Sequence, residues 1–191
     1  RPDFRIRGPQ GQIYSLHAVG LSVLILPAYA LAGYAGASFF MALLGALLVR
    51  ELRRLVMALG GDVKLAEGTA WLIGLSPPLI HYAGLIFTEV PAALLLCVGL
   101  RTAVFGRGSR STLVAVLCAS ALPWLNVRYA ILALALALAL LARAWRESGS
   151  RLTAAARGFA VPGLIAVASA LALAIYHRAL WGFFDPRRVY G

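Results

Sequence analysis

Tyr14-Ser15-Leu16-His17 runs directly into AVGLSVLILPAYALAG, residues 18–33. A polar, aromatic entry with one histidine thus precedes a run compatible with hydrocarbon, and Pro27 interrupts that run near its middle. An apolar run of this length fits either a buried core helix or a bilayer segment. The rest of the chain decides between them. Over 191 residues it is 61% hydrophobic and 13% charged, with a mean hydropathy of +0.83. Soluble domains carry about 25% charged residues, so the bilayer is the better solvent. Only helices and closed barrels satisfy their backbone there. Ala and Leu dominate the runs and favour helix. The Leu/Ala alternation over 132–141 has the period of a strand, but it lacks β-branching and lies between basic ends at membrane-helix spacing. The expected class is all-α: a polytopic transmembrane bundle of about six spanning segments, with a further segment at 15–33 that either spans or re-enters.

The boundaries follow from the punctuation. Residues 1–14 are polar, with Pro and Gly, and read as a loop arriving at the membrane. After the segment 15–33, Gly33 to Gly36 reads as a tight turn. A helix over 37–59 is stopped by Gly60-Gly61-Asp62, and one over 63–82 is kinked or ended by Ser76-Pro77-Pro78. Glu89 opens a helix that runs to about Phe105. GRGSRS (106–111) is a basic loop. The legs 112–122 and 129–142 form a hairpin about Pro123-Trp124, RESGSR (146–151) is a second loop, and 159–176 is the last helix. The whole of 1–191 reads as one membrane domain, with helices over 15–180 and an aromatic tail at 181–191. Cys97 and Cys118 sit inside apolar runs and read as packed thiols.

The formal net charge of +11 would suggest nucleic acid in a soluble protein. Here the arginines cluster between apolar runs, so no nucleic-acid partner is expected. Arg50, Arg53, Arg54 and Lys64, then Arg101, Arg107 and Arg110, then Arg143, Arg146, Arg151 and Arg157 mark the cytoplasmic side of a bacterial inner membrane. His81, His177, Glu89, Arg128 and Asp185 then face outward, and a re-entrant 15–33 adds His17. Tyr14, Tyr82, Trp124, Tyr129, Tyr176, Trp181 and Tyr190 join them. One reading is an interfacial aromatic belt. The other is an outward-facing polar cavity.

Arg128 argues for the cavity. The leg 112–122 spans about 16 Å as a helix, against a hydrocarbon core of about 30 Å. Its tip, PWLNVRY, is therefore expected below the outer surface, where an arginine needs water or a partner. With Asn126, Tyr129 and Trp124 beside it, Arg128 suits a lipid phosphate, since guanidinium bonds phosphate bidentately. The competing readings are snorkelling and a pair with Glu89. Glu89 itself reads either as an acidic first-turn residue favoured by the helix dipole, with Pro91 just inside the start, or as a metal or phosphate-network ligand. His17, His81 and His177 with Glu89 would supply donors for a divalent metal such as zinc, without a spacing motif behind them.

Five stretches in order, IYSLHAVGLSVLILPAYALAG, LLGALLVRELRRL, LSPPLIHYAGLIFTEVPAALLL, ALPWLNVRYAILAL and YHRALWGFFDPRRVYG, resemble bacterial GT-C membrane glycosyltransferases, relatives of protein O-mannosyltransferases and aminoarabinose transferases. The resemblance implies transfer of a sugar from a polyprenyl-phosphate donor, with membrane lipid as the surrounding partner. It supports a re-entrant 15–33 with Tyr14 and His17 beside the site, and it puts Glu89 and Arg128 near the lipid phosphate. It also implies an acidic catalytic motif upstream of Arg1, because Asp3 is the only carboxylate in residues 1–14. The chain departs from the pattern in the run after His17, AVGLSVL (18–24), where relatives often have a Pro, and at His177, where they often have Asn. A transporter or flippase, whose sites also use broken helices, and a non-catalytic membrane subunit are the alternatives.

Overall fold

The computed structural model describes residues 9–12, 18–148, 152–182 and 184, excluding the side chains of 152–159. Among the described residues the chain is helical, with no strand. The elements are α1 (Val19–Ala58), α2 (Val63–Gly74), α3 (Pro77–Ala83), α4 (Glu89–Phe105), α5 (Gly108–Leu125), a 3-10 turn (Val127–Tyr129), α6 (Ala130–Glu147) and α7 (Leu152–Trp181). Among the described residues, three helical stretches are long and apolar enough to cross a membrane: Val19–Ala58, Val127–Glu147 and Ala160–Trp181.

α1 is two limbs rather than one rod. Helical backbone fails at Ala32 (φ −143°, ψ 23°) and Gly33 (φ 59°, ψ −145°). The left-handed φ with extended ψ is open to glycine and costly for other residues. The chain reverses there. A methyl group on Gly36 would collide with the carbonyl oxygen of Ala28, eight residues back. Leu21 and Ile25 of the first limb pack on Met41 and Leu44 of the second, with Val90 of α4. The expected return around Pro27 does not occur; the reversal lies at Ala32-Gly33, at the start of the turn expected over Gly33 to Gly36. Pro27 stays inside the helix, where it removes one backbone donor without ending the limb.

The second limb carries Arg50, Arg53 and Arg54 to what we call the basic end. Gly60 (φ 90°) ends the helix, and Asp62 caps α2 by accepting from Leu65 N at 2.7 Å. α2 and α3 climb back along the second limb: Arg53 bonds Glu67 at 3.3 Å, and the ideal Cβ of Gly45 would lie 3.0 Å from Ala83 Cβ. Ser76-Pro77-Pro78 separates the two helices, with prolines at the first positions of α3, where a missing N–H costs little. α4 returns to the basic end beside the second limb, and α5 runs away from it. Ala92, Cys118, Leu122, Leu125 and Leu136 make the α4–α5–α6 core. The Leu/Ala alternation is helical, in α6.

Two charged clusters sit where α4 ends. Glu51, 5% exposed, accepts from Arg101 Nε and lies 3.6 Å from Arg54. Arg143, 6% exposed, donates to the carbonyls of Thr102 (2.7 Å) and Gly106 (3.2 Å) and to the Thr112 hydroxyl. Those carbonyls belong to the last turn of α4, which has no intrahelical donors for them. α6 therefore caps α4 in trans.

Candidate functional site

The end opposite the basic one gathers the start of α4 and the tip between α5 and α6. α5 begins at Gly108 (φ 73°), four residues earlier than the sequence suggests, and includes Pro123. At about 27 Å it nearly matches the hydrocarbon thickness. The short leg from which a deep tip was expected is therefore corrected to a helix of nearly that thickness, and Arg128 is exposed. No guanidinium partner for it occurs among the described residues, and no ion pair joins it to Glu89.

Asn126 breaks the helix with an extended backbone (φ −162°, ψ 136°). Its side-chain oxygen accepts from Arg128 N at 3.0 Å, which turns the chain into the 3-10 segment. That oxygen is committed to holding the tip, so Asn126 orients Arg128. Tyr129, half-buried, meets α4: its hydroxyl lies 3.1 Å from Thr88 Oγ1. Thr88 precedes Glu89, and Tyr129 follows Arg128. One hydroxyl pair thus brings the carboxylate and the guanidinium of the sequence reading onto the same end. Glu89 is exposed and lines the rim of a cavity of about 400 Å³ with Ser76, Tyr82 and Cys97. As the acidic first residue of α4 it also favours that helix's dipole.

Gly20, at the start of the first α1 limb, lies directly against the Trp124 backbone, and a Cβ there would collide with the Trp124 carbonyl. The limb that follows Tyr14 and His17 is therefore seated on the same tip. Tyr14 and His17 themselves lie outside the described residues, as do Asp185 and Tyr190.

His81 is exposed, and its Nδ1 pairs with the Pro77 carbonyl at 2.7 Å, a local bond within α3. His177 is buried in α7, edge-on to Tyr176. Glu89, His81 and His177 stand on three different helices, and among the described residues no three His, Cys, Asp or Glu side chains gather as a metal site. Trp124, read from sequence as a belt residue, has a larger role. Its Nε1 donates to Ser169 Oγ at 3.0 Å, Ser169 donates to the Ser120 carbonyl at 3.2 Å, and its ring lies 6.0 Å from Tyr176. This ties α5 to α7. No pattern in the sequence pairs residues 124 and 169.

This end of the bundle carries an exposed guanidinium, an exposed carboxylate and a hydroxyl pair, of which the guanidinium and the hydroxyls are the groups able to bond an anionic oxygen. Family models, curated proteins and solved structures contain no match to this chain.

Proposed function

We propose that the chain belongs to an integral membrane glycosyltransferase of the bacterial inner membrane, multi-pass with about six spans, which moves a sugar from a polyprenyl-phosphate donor to an extracytoplasmic acceptor. The Thr88–Tyr129 hydroxyl contact is the observation that supports it most, because it joins the α4 start to the Arg128 tip at the end away from the arginine clusters. The acceptor oxygen attacks the anomeric carbon, and the glycosidic bond breaks with its electron pair on the phosphate. A fixed guanidinium that meets the growing negative charge lowers that barrier. In this reading Arg128 holds the leaving phosphate, Tyr129 and Asn126 set its position, and Tyr14, His17 and Glu89 complete the phosphate surroundings. The acceptor's proton passes to a carboxylate base that none of these residues supplies.

The test is sugar transfer in membranes carrying the whole protein. Arg128→Ala is expected to abolish most transfer while the protein stays folded, as judged by its elution and melting. Normal transfer removes Arg128 from the chemistry. The backbone break at Ala32-Gly33 favours a transporter as the second reading, since broken helices build membrane binding sites. Uptake of a lipid-linked sugar without an acceptor would select it.

A further inference from the structure

A trough of about 410 Å³ lies between α5, α6 and α7, away from Glu89. Alanine is its commonest wall residue, with Ala133, Ala137, Ala166 and Ala170 among them, and Leu134, 58% exposed, also lines it. It is therefore a smooth apolar channel open sideways toward the solvent of these helices, which is the bilayer. His177 and Phe184 close the end away from the arginine clusters. His177 is 7% exposed, and its Nδ1 has no hydrogen-bond partner among the described residues. A buried nitrogen left in this state is costly. The Ser120 hydroxyl, which also lines the trough, is likewise without a hydrogen-bond partner among the described residues. The nearest hydroxyl on α7's trough face, Ser169, lies eight residues away, about 12 Å along the helix.

The length of the trough identifies an occupant. From Ala166 to His177 it follows α7 for about 16 Å. One leaflet of a bilayer with a hydrocarbon core of about 30 Å is about 15 Å deep. We propose that the trough seats one acyl chain of a phospholipid from the leaflet opposite the arginine clusters, with a headgroup or ester oxygen accepting a hydrogen bond from the His177 ring. A chain of one-leaflet length fits; a long polyprenyl chain exceeds it. The His177 ring rotates about its Cβ–Cγ bond to present its N–H to that oxygen. The proposal does not rest on the transferase reading.

The experiment uses the full chain in vesicles of phosphatidylethanolamine and phosphatidylglycerol doped with a phosphatidylglycerol bearing a photoreactive group in its acyl chain. Cross-links are mapped by peptide mass spectrometry. The expected result is labelling concentrated on 130–137 and 166–174, falling roughly tenfold, about 1.4 kcal/mol of site affinity, when Ala170→Phe fills the trough. Ala133→Phe, from the opposite wall, gives the same loss if Ala170→Phe misfolds. His177→Ala weakens labelling at 166–174 and leaves labelling of exposed Leu31 and Leu72 unchanged. Two results overturn the proposal: even labelling of every lipid-facing helix that Ala170→Phe does not alter, or trough labelling by a photoreactive polyprenyl phosphate that excess phosphatidylglycerol does not displace. Loss of sugar transfer bears on neither result, so the two readings fail separately.

Discussion

Arg143→Met tests how the bundle is held at its basic end. The guanidinium is buried, and it donates to the Thr102 carbonyl, the Gly106 carbonyl and the Thr112 hydroxyl, with Glu147 3.6 Å from Nε. Methionine keeps much of the volume and removes every donor. Hydrogen bonds to charged groups contribute about 1.5–3 kcal/mol each. Three are lost, and the two carbonyls at the end of α4 are left without this donor. Removal of the arginine also removes the cost of burying its charge, so the sum is not simply additive. A buried acceptor left unsatisfied costs about 1–3 kcal/mol, so with two carbonyls stranded and the buried charge relieved the expected loss is about 2–4 kcal/mol. The assay is equilibrium unfolding of the purified chain in a mixed micelle, followed by far-UV circular dichroism. Arg143→Lys recovers only part of the loss, because one ammonium cannot reach the Thr102 carbonyl and the Thr112 hydroxyl with the guanidinium's fork. A Met variant within about 0.5 kcal/mol of wild type refutes the capping role and leaves Arg143 as an ordinary positive-side residue.

Gly33→Ala places a Cβ on a left-handed backbone and is expected to cost about 1–3 kcal/mol; chemical denaturation measures it, and no change would mean that α1 runs straight. Glu51→Leu alone strands Arg101 and destabilises by about 3–5 kcal/mol, whereas Glu51→Leu with Arg101→Leu regains most of that loss; a thermal-melt series of the single and double variants decides it. Trp124→Phe keeps the ring contact with Tyr176 and loses the indole bond to Ser169, lowering stability by about 0.5–1.5 kcal/mol; an unchanged melt would deny the α5–α7 tie. On the proposed transferase reading, Tyr129→Phe removes the hydroxyl facing Thr88 and is expected to lower sugar transfer more than it lowers the melting point; parallel losses would make it purely structural.

Signals carried by neighbouring residues were legible in the sequence. Hydropathy and Ala/Leu content predict helices. Gly60-Gly61-Asp62 predicts a stop and does stop α1, with Asp62 capping α2. Glu89 with Pro91 predicts the α4 start. The break at residues 32–33 was half legible. Proline and glycine both interrupt helices, and here the glycine at positive φ set the reversal while the proline was absorbed. Long-range roles were not legible. Arg143 looks like any arginine at a loop edge until α6 packs on α4. Trp124 looks like an interfacial aromatic until Ser169 meets it. The length of the leg before Arg128 was misjudged because the helix takes in Gly108, Ser109 and Arg110, which composition assigns to a loop. At the site, the sequence put Glu89 and Tyr129 at one end of the bundle, and the Thr88 contact agrees. Asn126, marked as a ligand candidate, uses its side-chain oxygen to hold the turn, a role the sequence did not show.

The central claim is that the Arg128 tip and the arginine clusters face opposite sides of one membrane. The most direct measurement is side-specific cysteine labelling in intact cells, with Cys97 and Cys118 replaced by alanine. A cysteine at Arg128 is predicted to react with a membrane-impermeant maleimide from outside, and one at Ser109 only after the cells are opened. Labelling of both from the same side, or the reverse pattern, contradicts the account.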